Sequence, residues 1–117
     1  MILQRLFLLL IAHAVTDYAL QPPNVALGKN RHAGPPPGYD EGTHGTLMPI
    51  WPMVMAAHAL INAGGVYVVT GNITFACIEF VLHFAIDTAK CEKTYSLFVD
   101  QTLHLSTKLI FAVAGGF

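Results

Sequence analysis

Four apolar stretches, each near the length an α-helix needs to cross a hydrocarbon layer, occupy most of this 117-residue chain. They run over about residues 2–20, 48–70, 73–89 and 97–114, against the roughly 20 residues such a crossing takes. Any one alone would suit the buried helix of a soluble protein. Four together leave too little polar surface for a soluble bundle, because only 11% of the residues are charged where about a quarter is usual. The sequence therefore predicts one domain over residues 1–117, an all-α integral membrane bundle of four transmembrane helices. Gln4-Arg5, the apolar run Leu6 to Ile11 and Ala12-His13-Ala14 superficially fit a secretory signal. The apolar run is short for that role and an ionisable pair follows at once, so the segment reads as the first transmembrane helix.

The connections differ in kind. Residues 21–46 are rich in Pro and Gly, with Pro22-Pro23 and Pro35-Pro36-Pro37-Gly38, and predict irregular backbone at or outside the interface. Thr70-Gly71-Asn72 reads as a tight turn, and residues 90–96 as a short polar one. Lys29 and Arg31 in the first connection and Lys90 and Lys93 in the third, with none in the second, place the first and third connections in the cytoplasm. Arg5 argues the other way. The expected location is the inner, cytoplasmic membrane, with both termini outside. A formal net charge of −1 offers no basic field for nucleic acid. Cys77 and Cys91 sit in no CxxC or Cys/His spacing and read as free thiols.

Three imidazole–carboxylate pairs at helical spacing lie inside these apolar stretches: His13/Asp17, His83/Asp87 and Asp100/His104. Residues four apart share a helix face, so each pair presents a nitrogen and a carboxylate in one direction. Ionisable groups inside such helices are expensive and mark a function. The topology puts all three pairs, with His58 of the second helix, in the same leaflet. At 1.5 Å rise per residue, His13, His83 and His104 fall roughly 10 Å inside that boundary, with the aspartates about one turn shallower.

Imidazole and carboxylate are the usual ligands of zinc, iron and manganese, and facing helices can supply them inward. His13, Asp17, His58, His83, Asp87, Asp100 and His104 are the candidate ligands of one or two divalent metals. A histidine ligand commonly gives its other ring N–H to a carboxylate, so each pair could equally be one ligand and its orienter. Glu79, four before His83, is a general base, a further ligand or a protonated spectator. Lys90 would pair with Asp87 or meet an anionic head group. Gln21 and Gln101 would hydrogen-bond ligands. The plain alternative is that each pair satisfies itself and only specifies packing. His32 and His44 read as solvated, Trp51 and Tyr95 as interfacial anchors, and Ala63-Gly64-Gly65 and Ala114-Gly115-Gly116 as close-packing or helix-ending positions.

The ordered set His13-x-x-x-Asp17 with Gln21, His58, His83-Phe84-x-Ile86-Asp87-x-x-Lys90 and Asp100-Gln101-x-x-His104 resembles a family of small polytopic membrane proteins of bacteria and their phages. That family is of unknown function, so the resemblance implies a membrane fold and shared polar motifs rather than a reaction. A longer first loop and Glu79 are departures from it. More distantly, the chain is similar to membrane-bound metal-dependent hydrolases. The functional expectation is metal-assisted hydrolysis of a lipid-derived or other amphiphilic phosphate or ester. Its rivals are a proton or metal relay through a homo-oligomer and a non-catalytic phage-type membrane effector or assembly protein. The bilayer is the expected partner in each case.

Overall fold

The computed structural model describes residues 1–32, 41–44, 50–115 and 117, without the side chains at positions 24, 41 and 44. The Pro35-Pro36-Pro37-Gly38 run, residue 48 at the expected start of the second apolar stretch, and the His44 side chain lie outside that description. Helices are the regular structure of the described residues: α1 (Ile2–His13), which continues as a π-helical segment (Ala14–Ala19), α2 (Pro23–Gly28), α3 (Glu41–His44), α4 (Trp51–Thr70), α5 (Ile73–Cys91) and α6 (Leu97–Ala114).

Local chemistry sets the ends. Gly71 takes the left-handed conformation at φ 63° that closes α4, donating its N–H to the Tyr67 carbonyl at 2.7 Å. Asn72 then caps α5, its side chain accepting from the Thr74 and Phe75 amides. Ser96 caps α6 through the Val99 amide. Between α5 and α6 the chain turns through Lys93 at φ 59°, and the Tyr95 hydroxyl donates to the Ile86 carbonyl.

The four long elements form a closed ring: α1 packs on α4 and α6, and α5 packs on the same two. Chain direction alternates around it. The start of α1, the end of α4, the start of α5 and the end of α6 meet in an apolar plug of Leu9, Val66, Phe111 and Ala112, with Phe75 stacked on Phe111. Gly65 lets α4 lie close against α1 and its π-helical continuation, since a Cβ there would lie 2.9 Å from Thr16 Cγ2.

Polarity is inverted relative to a soluble domain. Buried among the described residues are eight apolar side chains and thirteen polar or charged ones, while Leu3, Phe7, Val68, Val81, Phe98 and Ile110 face outward. Soluble proteins bury charged groups rarely and only when paired. Two stretches are long and apolar enough to cross a membrane, Ile2–Ala19 and Trp51–Thr70. Helices α5 and α6 are of similar length but carry Glu79, Asp87 and Lys90, and Asp100, Gln101, His104 and Lys108. Those polar residues lower their apolar character, and most of them point inward.

The chief departure from the expected elements is in the first. The sequence predicts one uniform α-helix to residue 20, whereas the backbone changes to i→i+5 bonding after His13, as in Leu20 N–H to Val15 carbonyl at 2.8 Å. A wider turn shifts the register, and such turns recur at functional sites.

Candidate metal centre

The far end of the ring from the apolar plug is polar. There the wider turn carries Asp17 toward α4 and α5, while His13, one turn earlier, faces α6. The pair expected to act as a unit is 3.6 Å apart, and Asp17 lies closer to His58 of α4 at 3.0 Å. The other two pairs behave alike. His104 Nε2 is 2.9 Å from Asp87 of α5 and 3.5 Å from its own-helix partner Asp100. The i, i+4 spacing aims the groups inward, and the nearest partners of Asp17, His104 and Asp87 come from other elements, whereas His83 lies nearest its own-helix neighbour Glu79, at 3.2 Å.

Four donor atoms from three helical segments converge. His58 Nε2 lies 3.0 Å from Asp17 Oδ1 and 3.2 Å from Asp87 Oδ2. His83 Nε2 lies 3.3 Å from Asp17 Oδ1 and 3.4 Å from Asp87 Oδ2. All four atoms lie within 4.8 Å of one another. Ligands about 2.0–2.1 Å from one tetrahedral ion stand roughly 3.3–3.4 Å apart. The four nitrogen–oxygen separations approach the edges of such a tetrahedron. His83 Nε2, fully enclosed, makes no hydrogen bond among the described residues. A buried ring nitrogen with no hydrogen bond, aimed between two carboxylates, is what an ion would satisfy.

Two further groups adjoin this one. Asp87, Asp100 and His104 converge through the other Asp87 oxygen, and Glu79, His83 and His104 form a third set. Because Asp87 and His83 are shared, these sets form one connected centre. Asp87 belongs to two of the sets, facing His58 and His83 with Oδ2 and His104 with Oδ1.

The surrounding groups orient it. Gln101 donates its amide hydrogens to Asp17 Oδ2 at 3.2 Å and Asp100 Oδ2 at 3.1 Å. Its carbonyl oxygen therefore faces His13 Nε2, 3.1 Å away, which must donate. His13 belongs to none of the converging sets and reaches them through Gln101. Glu79 Oε1 lies 3.2 Å from His83 Nδ1, so it can hold the ring edge opposite the converging nitrogen. Lys108 donates to the same oxygen at 2.7 Å. Lys90 lies at the rim, 3.9 Å from Asp100, and the lysine on Asp87 is instead Lys29.

Lys29 is the residue the sequence most hides. Positioned just past α2, it is buried and donates to Asp87 Oδ2 at 2.6 Å and to Gln21 Oε1 at 2.5 Å. No periodic spacing announces it, because it belongs to the Pro/Gly-rich connection. Lys108 had a signal, continuing the Asp100/His104 face by four residues. So did Asn62, four after His58, which accepts from the Thr16 hydroxyl at 2.8 Å. His32, expected to be solvated, is half exposed but bonds Glu92 at 2.7 Å. Arg31 joins it, and hydrogen bonds from the guanidinium and the imidazole hold the Glu92 carboxyl down at about 2.

With neutral imidazoles, the enclosed carboxylates Asp17, Glu79, Asp87 and Asp100 outweigh Lys29 and Lys108 by two negative charges. Uncompensated charge in such a setting is costly. One divalent cation would balance it, as would protons on two of the imidazoles. The buried His/Asp groups thus have the donor chemistry, the convergence and the charge to hold a metal ion.

Neither the curated proteins nor the solved structures contain a match to this chain. A family model does match, over residues 5–115, which includes every residue of the centre. By that match the chain belongs to DUF3307, a family of proteins of unknown function.

Proposed function

We propose that this protein is a four-span membrane bundle whose buried His/Asp centre binds one or two divalent metals and hydrolyses an amphiphilic phosphate or ester. The observation that carries the reading is the convergence of His58 Nε2, His83 Nε2, Asp17 Oδ1 and Asp87 Oδ2, with each nitrogen 3.0–3.4 Å from each oxygen. The outward apolar faces of the four long helices, and the polar and ionisable side chains they turn inward, support the bilayer as its solvent. Lys29, Arg31, Lys90 and Lys93 gather at the end that holds the centre, which favours a cytoplasmic-side placement.

A divalent ion there would polarise a phosphoryl or carbonyl oxygen and activate water. Asp17, His58, His83 and Asp87 would hold it, Asp100 and His104 would hold a second, and Gln101 and Glu79 would keep the ligands aimed. Zinc, iron and manganese all accept this donor set. Lys90, partly exposed at the rim, would steer an anionic head group.

Elemental analysis of detergent-purified protein beside the His83→Ala/Asp87→Ala double variant tests the reading. Stoichiometric metal in the wild type and none in the variant is the expected result, and it would justify assaying amphiphilic phosphates and esters. Wild-type protein that stays metal-free after reconstitution with zinc, iron and manganese would sink it.

A proton or metal relay is the second reading, and one observation favours it. Lys29, Asp87, His83, Glu79 and Lys108 form a continuous polar chain, with successive separations of 2.6, 3.4, 3.2 and 2.7 Å. Flux through liposomes that ceases in Glu79→Leu would support it over the hydrolase.

A further inference from the structure

Lys29 occupies an oxygen that the metal would need. Its ammonium donates to Asp87 Oδ2, and that same oxygen faces both His58 Nε2 and His83 Nε2. A metal coordinated there would sit within a few ångströms of a fixed positive charge. Like charges that close, inside a site shielded from water, repel strongly. The lysine and the ion are therefore competitors for one carboxylate.

The lysine is also the centre of a strap. Residues 21–32 are tied to the helical ring by three kinds of contact: Lys29 to Asp87, α2 against α4 with Gly28 facing Val54, and Arg31 and His32 to Glu92 beyond α5. Gln21, at the start of the strap, accepts from Lys29 and closes the segment on itself. Of these ties, only the one from Lys29 reaches the converging donors. Leu27, Pro22 and Pro23 are exposed and Val25 and Ala26 only half-buried, so no fully buried apolar side chain secures the described part of the strap.

Resting on the metal-centre reading above, we infer that Lys29 is an internal stand-in cation: divalent metal displaces it from Asp87, and metal binding thereby frees the 21–32 strap. The centre is neutralised in part by its own lysine when empty and by the ion when loaded. Apparent metal affinity is then lowered by the fraction of molecules in which the lysine is seated. A loaded protein presents Lys29 as an ammonium with no carboxylate partner next to the centre, where an anionic substrate group can take it.

The test is a titration of the detergent-purified full chain with zinc alone and with manganese alone, in wild type, Lys29→Met and Lys29→Arg. Lys29→Met is expected to bind about tenfold more tightly or better, a coupling of ordinary size for two mutually exclusive ligands, and Lys29→Arg to stay near wild type. Amide hydrogen exchange of residues 23–32 in the wild type should quicken on loading, a measurement that needs no variant to fold. Unchanged or weaker binding by Lys29→Met, or exchange that slows or stays constant on loading, overturns the stand-in role while leaving the metal centre intact. Absence of metal binding in wild type and variants alike overturns both, and that result is told apart by the wild type's own failure.

Discussion

Glu79 sits one side chain away from the converging donors, with Lys108 and the His83 Nδ1 edge both on its Oε1. Neither Glu79 nor Lys108 has water to fall back on, since each is about 1% exposed. Removing one partner of such a pair strands a charge, at a typical cost of about 3–5 kcal/mol, whereas replacing both by apolar groups is often neutral. Glu79→Leu and Lys108→Leu should therefore each lower thermal stability in detergent more than the double variant does. A double variant as unstable as the sum of the two would show that these groups do not act as a pair. The residue scale is also where sequence reading was strongest. His58, His83, Asp87 and Asp17 are visible because an ionisable group in an apolar helix stands out. Lys29 is not visible, because a lysine in a Pro/Gly-rich loop resembles any solvated lysine.

At the scale of elements, α1 changes from α- to π-helical bonding at the turn that delivers Asp17, and nothing in Ala14-Val15-Thr16-Asp17 prescribes that change. Thr16 is buried, its hydroxyl shared between the Ala12 carbonyl and Asn62, and its methyl lies where α4 approaches at Gly65. The two adjacent glycines of α4 thus differ. A Cβ on Gly64 would meet nothing within 4 Å, while one on Gly65 would collide with Thr16. Gly64→Ala is expected to be neutral or stabilising by up to about 1 kcal/mol, the helix preference of alanine over glycine. Gly65→Ala should destabilise by about 1–3 kcal/mol through overpacking. Thermal unfolding of the two variants checks the contrast, and equal effects would remove the close α1–α4 approach as the explanation. From sequence alone these glycines were indistinguishable, because which helix face meets a neighbour is settled by packing.

For the whole molecule, the membrane reading predicts where water is absent. Cys77 is exposed on α5, four residues past its start, hence roughly 6 Å along the helix from that end. In a bilayer that position faces hydrocarbon, where the reactive thiolate is disfavoured. Cys77 in native membranes should react slowly with a charged maleimide and rapidly once the protein is denatured. Rapid labelling in intact membranes would argue that α5 is bathed in water. By itself the sequence determined the all-helical class and the polar residues aimed inward, because apolar length, turn chemistry and i, i+4 spacing are properties of neighbouring residues. Only the tertiary structure decided which partners meet: Asp17 with His58, His104 with Asp87, and Lys29 with Asp87. Those pairings join residues 17 to 58 positions apart in the chain. Their distances depend on how four helices and one strap pack, which no local pattern encodes.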